Sequence, residues 1–389
     1  MSIDEIEHNE ILELVEKELS QTPFKNEGMA VITHCLNSSH TIPYISDETY
    51  KKINLLKSID KRVESKFTFI DLFAGIGGFR LALKSNGGKP LFSSEWDVAA
   101  QKTYYKNYGE YPFGDINLFT NDDVSDEELE KLIPVHDILA GGFPCQPFSR
   151  AGVSARNSLG LPHGFECKTQ GTLFYSIERI AKIKKPKILL LENVRNLVSH
   201  DSGKTFETIR KSIEKSGYQF FYSILNSETL VPQRRVRCFI VGVRNDLYEQ
   251  KGGFQFPEFK GDPLPLRSIL DENPMSSYTI SDKLWTGHKT RSLRNKNRGT
   301  GFTTGEADLD RPSNTIVARY GKDGKECLIP QVNDNPRMLT IDECKRLFGY
   351  PEDFSMPTFR TPAYKLLGNS VVVPVVVKIA ERIVSRYFV

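Results

Sequence analysis

No stretch of this 389-residue chain approaches the roughly 18 consecutive apolar residues that a membrane-crossing helix requires. Its opening, MSIDEIEHNE, is acidic where a secretion signal is basic. A cytoplasmic protein without a membrane partner is expected. Cysteine is sparse and scattered, at 35, 145, 167, 238, 327 and 344, with no CxxC pair. That spacing fits neither a structural zinc site nor a disulfide framework, so no metal is expected and the thiols are read as reduced. Excess charge is also missing. A formal +3 from 52 basic and 49 acidic side chains excludes a generally basic nucleic-acid binder, so any grip on nucleic acid must come from a local cluster.

What is present has the texture of an α/β protein large enough for two or three domains. From Phe67 onward, short β-rich runs alternate with helical stretches: FTFIDLF then FRLALKSN, PLFSSEW then DVAAQKTYYKNY, HDILA, FYSIERIAKI then KPKILLLEN, and TFETIRKSIEKSG before a strand pair ending in RVRCFIVGV. Such alternation predicts a mainly parallel sheet flanked by helices, with ligands beyond the carboxyl ends of its strands. Residues 246–310 lose the alternation. Between Lys283 and Gly305 lie six basic side chains and no acidic one, which reads either as a solvated loop or as a nucleic-acid contact. The first 20 residues carry seven acids and one lysine around Ile6, Ile11, Leu14, Val15 and Leu19, the pattern of an appended amphipathic helix.

Unusual residues collect at the predicted strand ends. FIDLFAGIGGF is a strand running into a turn in which Gly75, Gly77 and Gly78 bare the backbone toward a ligand. Arg80 stands where a dinucleotide fingerprint needs a third small residue, so the turn indicates a nucleoside cofactor other than NAD. Glu95, 20 residues after Gly75, is placed for ribose hydroxyls, and Asp115 ends another strand on the same edge. In GGFPCQPFS, Pro144 and Pro147 stiffen a loop around Cys145, which suits a reactive thiolate better than core packing. Cys167, Cys238, Cys327 and Cys344 read as inert fillers. Glu192 ends an apolar strand, and in QRRVR a period of two would send Arg235 and Arg237 to one face. A thiolate, a carboxylate and two arginines in one cleft suit attack on an electron-poor ring.

The ordered blocks DLFAGIGG, SEWD, GDI, GFPCQPFS, GTLF, ENV, QRRVR, RPSNTIVAR and GNSVV together resemble the DNA (cytosine-5)-methyltransferases of bacterial type II restriction-modification systems, across residues 67–389. The resemblance implies a Rossmann-like, S-adenosylmethionine-dependent methyltransferase domain over 67–265, completed by 363–389. It further implies a smaller, mostly irregular/β target-recognition domain and hinge over 266–362, with 1–66 as an N-terminal helical extension outside the match. Phe73, Gly75, Ile76, Gly77, Gly78, Glu95, Trp96, Asp115, Ile116, Asn369 and Val371 would bind S-adenosylmethionine, leaving S-adenosylhomocysteine as product. Cys145 would add to C6 of cytosine, Glu192 would hold N3, and Arg235 with Arg237 would stabilise charge and orient the base. Gln146, Ser149, Gln233, Lys289, Arg291, Arg294, Lys296 and Arg298 would contact double-stranded DNA, from which the target base is rotated out. The segment from Arg298 to Ile329 resembles recognition segments of relatives that methylate CCGG or CCNGG. A cognate restriction endonuclease is the implied functional partner.

Rival readings differ in chemistry. An N6-adenine or N4-cytosine enzyme would need a [DNS]PP[YFW] loop, which is missing. A tRNA cytosine-5 methyltransferase of the same family, or a catalytically idle DNA-binding regulator, stays open as an alternative. Glu306, Asp308 and Asp310 either accept from cytosine amino groups or face water. Residues 1–66 read as a regulatory, dimerising or merely stabilising arm on an otherwise monomeric enzyme; 39–53 has the length for half of a helix-turn-helix but lacks its glycine turn, and deletion of 1–66 should leave methylation largely intact.

Overall fold

Six β-strands, the central ones buried on both faces, organise one half of the chain. A computed structural model describes residues 3–38, 42–56, 65–143, 173–299, 301 and 303–389. It divides into two compact units: residues 1–224, 237–256 and 379–389 form the first, and residues 225–236 and 257–378 the second. Among the described residues no helix is long and apolar enough to cross a membrane.

In the first unit, the helices α1 (Ile3–Leu19), α2 (Gly28–Ser38) and α3 (Asp47–Leu55) precede the sheet. Then come β1 (Phe67–Leu72), α4 (Gly78–Ser85), β2 (Gly88–Ser94), α5 (Val98–Tyr108), α6 (Asp126–Leu132), β3 (Ile138–Gly142), α7 (Leu173–Lys184), β4 (Ile188–Val194), α8 (Lys204–Lys215), β5 (Tyr218–Asn226), β6 (Val236–Arg244) and α9 (Asn245–Lys251). The strand order is β2-β1-β3-β4-β6-β5. Strands β1 to β4 pair in parallel, whereas β6 runs antiparallel to β4, with Glu192 opposite Phe239 and Val194 opposite Arg237. Alternation along the strands sends Ile70, Leu72, Leu139, Leu189, Leu191 and Ile240 into one shared core. The intervening Phe69, Ile138, Ala140, Leu190 and Val241 are equally buried, as a doubly covered parallel sheet demands.

The N-terminal extension departs from expectation. Instead of standing apart, Ile11, Val15, Leu19, Phe24, Val31, Cys35, Ile42 and Ile53 join the same core as Phe92, Phe113 and Leu139. Phe24 alone packs its ring 6.3 Å from Phe113, 5.1 Å from Phe119 and 5.4 Å from Tyr44. The helix expected within 39–53 is α3, capped by Ser46, and its Thr49 and Ile53 point inward. The acidic face of α1 hid this role, because its few apolar residues suffice to cover one sheet edge.

The second unit has little regular β-structure among its described residues. It holds α10 (Asp282–Arg298), α11 (Ile341–Phe348), α12 (Arg360–Asn369) and the start of α13 (Val373–Tyr387), joined by isolated bridges such as Glu306 with Leu328. Its bounds differ from those expected, since 257–265 and 363–378 fall within it. A 17-residue helix at α10 also replaces the irregular run read from composition.

Replacing Phe24 by Ala should lower the unfolding free energy by about 3–5 kcal/mol in urea titration, because the lost ring is almost wholly buried. Deleting residues 1–56 should abolish the cooperative thermal transition, since Phe113 and Phe119 would lose their cover.

Candidate active site

The strand order reverses between β1 and β3, and open α/β sheets seat ligands beyond the carboxyl ends of the strands at such a switch point. The glycine turn after β1 and the Gly142 end of β3 lie there. After β1, Phe73, Gly75 and Gly77 take positive φ of 57°, 55° and 87°. Phe73 is the costly case, since a bulky side chain rarely adopts that region and strain of this kind gathers at functional sites. Nothing lies within 4 Å of where a Cβ on Gly75 would stand, so the turn has an open floor.

Glu95 locks that turn. Its Oε2 accepts the Gly75 N–H at 2.7 Å and its Oε1 the Asp97 N–H at 2.8 Å, while Asp97 caps α5. Burial raises the Glu95 carboxyl above its ordinary value. Trp96 beside it is 74% exposed. Asp115 is exposed and accepts from Asn117 at 3.0 Å, whereas Ile76 and Ile116 are buried. Asp115 does not end a strand: its segment meets β2 through the single bridge Ser94–Phe113. An open glycine turn with two carboxylates and two aromatic rings close by in the chain fits a nucleoside bearing hydroxyls and an amine.

Beneath the turn is a support that sequence reading missed. Arg80 is buried, pairs with Glu110 at 2.5 Å and 2.6 Å, and lies 4.4 Å from the ring centre of Tyr108. The Tyr108 hydroxyl donates to the Gly77 carbonyl at 3.0 Å, and a Cβ on Gly77 would fall 2.5 Å from that ring. Asp71, fully buried near Arg80, has its carboxyl pushed up to about 8 by desolvation.

On the neighbouring strands, Glu192 Oε1 lies 3.0 Å from Arg237 Nε, with side-chain exposures of only 13% and 16%. Gly142 is register-paired with Glu192, and a Cβ there would stand 3.4 Å from Glu192 Oε2. The adjacent Asn193, wholly buried, donates to the Phe143 carbonyl at 3.3 Å and so ties down the last residue before Pro144. Cys145, Gln146 and Ser149 lie outside the described residues, as does Cys167. Among the other cysteines, Cys238 and Cys327 are buried with thiols raised to about 12, and burial raises the Cys344 thiol well above its usual value.

Two expected site residues go elsewhere. Strand β6 begins at Val236, so the period-two argument does not extend to Arg235. In the second unit its guanidinium donates to the carbonyls of Ile316, Gly368 and Ser370 at 2.9, 3.0 and 2.6 Å. It is thus a buried clamp on the segment that carries Asn369, which is exposed, and Val371, which is buried. Gln233 is not available to DNA: it is fully buried, donating to Leu347 and accepting from Ile316. Lys289, Arg291, Arg294, Lys296 and Arg298 are all exposed on α10. Asp308 pairs with Arg311 and Asp310 with Arg267, so these acids face water and neighbouring cations.

A doubly wound sheet with one reversed strand and a glycine turn at its switch point defines a Rossmann-like methyltransferase fold. The C-5 cytosine-specific DNA methylase model matches residues 67–385, and the chain belongs to that family: it is a DNA (cytosine-5-)-methyltransferase. It is 46% identical over 323 residues to type II methyltransferase M.SsoII of Shigella sonnei, covering 82% of this chain and 80% of that one. It is 44% identical to type II methyltransferase M1.ScrFI of Lactococcus lactis subsp. cremoris, covering 84% and 80%. Among solved structures, an S. pombe Dnmt2 methyltransferase shares the fold with a TM-score of 0.62 at 17% identity, covering 82% and 98%.

The raised Asp71 carboxyl gives a pH test. Between about pH 4 and about pH 8 the unfolded chain ionises this group while the folded chain keeps it protonated, so its contribution to stability falls as pH rises. Asp71→Asn should therefore gain stability relative to the parent between pH 5 and pH 8, measured by urea unfolding at both.

Proposed function

We propose that the chain methylates C5 of a cytosine rotated out of a short duplex DNA site of the CCNGG or CCGG kind, protecting that DNA from a cognate restriction endonuclease. The observation that carries this reading is the Glu192–Arg237 pair beside Gly142, three residues before Cys145. S-adenosylmethionine supplies an electrophilic methyl group on a sulfonium centre. Phe73, Glu95, Trp96, Asp115 and Ile116 around the glycine turn would hold it.

Cytosine C5 is a poor nucleophile until the ring is opened to electron flow. The Cys145 thiolate bonds to C6, Glu192 favours a proton at N3, and C5 gains the enamine character that methyl acceptance requires. Loss of the C5 proton then breaks the carbon–sulfur bond and returns the thiolate. Arg237 holds Glu192 in one orientation and offers positive charge to the base, and the missing side chain at Gly142 leaves the carboxylate room. Asn193 holds the Phe143 carbonyl, two residues before Cys145 in the chain.

For DNA, α10 presents two stripes. Arg291, Arg294 and Arg298 share one face at spacings of three and four, and Lys289 with Lys296 share another. A narrow line, Leu284, Trp285, His288, Ser292 and Asn295, turns toward the unit, with His288 Nε2 donating to the Asp323 carbonyl at 2.8 Å. The exposed cations suit phosphates, and the arginines suit guanine edges.

Mapping 5-methylcytosine at base resolution in DNA exposed to the protein tests the reading; methylation of tRNA but not of duplex DNA would sink it. Cys145→Ser should lose methyl transfer and fail to trap a 5-fluorocytosine duplex that the parent captures covalently. Glu192→Gln should lower kcat by on the order of 100- to 10,000-fold. Arg294→Ala and Arg298→Ala should each reduce the slope of log affinity against log salt by about 0.9.

A further inference from the structure

We propose that Glu27 is a positioning residue for the methyl donor: through Gly114 it fixes the segment carrying Asp115 and Ile116, making the N-terminal extension part of the cofactor site. This rests on the reading, proposed above, that Asp115 and Ile116 bind S-adenosylmethionine. Glu27 lies between α1 and α2, and its Oε2 accepts the Gly114 N–H at 3.0 Å. A Cβ on Gly114 would fall 2.6 Å from Glu27 Oε1, so glycine is what admits the carboxylate. From the other side, the Ser94 hydroxyl donates to the Gly114 carbonyl at 2.8 Å. Both main-chain polar groups of Gly114 are therefore held, one by the extension and one by β2.

The same helical layer grips the chain leading into this segment. Thr33 accepts the Tyr111 N–H at 3.1 Å. Asn37 donates to Glu110 Oε2 at 2.7 Å, and Glu110 in turn holds Arg80 beneath Tyr108 and the glycine turn. Burial raises the Glu27 carboxyl above its usual value, with the nearby Asp115 charge adding to the rise, as befits an acid set close to a second acid for a purpose other than surface solubility. Core packing by Phe24, Val31 and Cys35 would cover the sheet edge without any of these polar contacts.

The test uses full-length protein, with binding of S-adenosylmethionine measured calorimetrically and its KM measured beside kcat and the KM for DNA. Glu27→Ala should raise the cofactor Kd and KM about tenfold, a loss on the scale of one charge-assisted hydrogen bond, with kcat at saturation and the DNA KM within about twofold of the parent. Glu27→Gln, which keeps an oxygen acceptor, should recover most of the loss. Gly114→Ala, which displaces the carboxylate from the opposite side, should reproduce it and decides the matter if Glu27→Ala does not fold. Phe24→Ala serves as the control for packing: it should lower Tm yet leave the cofactor KM unchanged where the protein is folded. If Asp115→Ala weakens cofactor binding while Glu27→Ala and Gly114→Ala do not, the positioning role is overturned and the site reading survives. If none of the three moves cofactor affinity, the assignment of this segment to the cofactor falls with it.

Discussion

A carboxylate and a guanidinium 3.0 Å apart, both largely withdrawn from water, set the terms for everything around them. Neither charge would tolerate that burial alone, since an unpaired ion in such surroundings costs several kcal/mol. Their pairing is imposed by the sheet. The antiparallel return of β6 beside β4 brings Arg237 within reach of Glu192, and the parallel register of β3 with β4 puts Gly142 alongside. The one reversed strand in the sheet is thus the device that delivers a cation to the end of a parallel strand, where the βαβ connections alone would place only loops.

The glycine turn obeys the same logic at one remove. Its positive φ angles are held by Glu95 from the next strand and by Tyr108 from the helix beyond it. Tyr108 is kept in place by Arg80 and Glu110, and these are met by Asn37 of the extension. Pre-organisation of a backbone turn is therefore spread over four elements that are distant in sequence, and no single one of them looks functional by itself.

That dispersal explains what could be read from the chain and what could not. The strands were legible because FTFIDLF, HDILA and KPKILLLEN are apolar runs bounded by turn residues. Gly75, Glu95 and Glu192 were legible because each sits at such a run's end. Arg235 was misread because a period of two says where a strand sends its side chains, yet not where the strand begins. Gln233 sat in the same block and carried no mark of burial. Helix α10 escaped because its inward line is Leu284, Trp285, His288, Ser292 and Asn295, so the two apolar residues sit only at its start and hydrophobicity does not report the rest. Glu27 and Asn37 act across 73 to 87 residues, a separation at which local pattern is silent.

The slender seating of α10 bears on how such a protein changes over generations. Surface substitutions that touch no core side chain commonly shift stability by less than about 0.5 kcal/mol. The outward two-thirds of this helix can accordingly be rewritten, cation for amide or short chain for long, with the unit that carries Glu192 and Arg237 untouched. Its exposed side chains can then change one at a time without the protein passing through an unfolded ancestor.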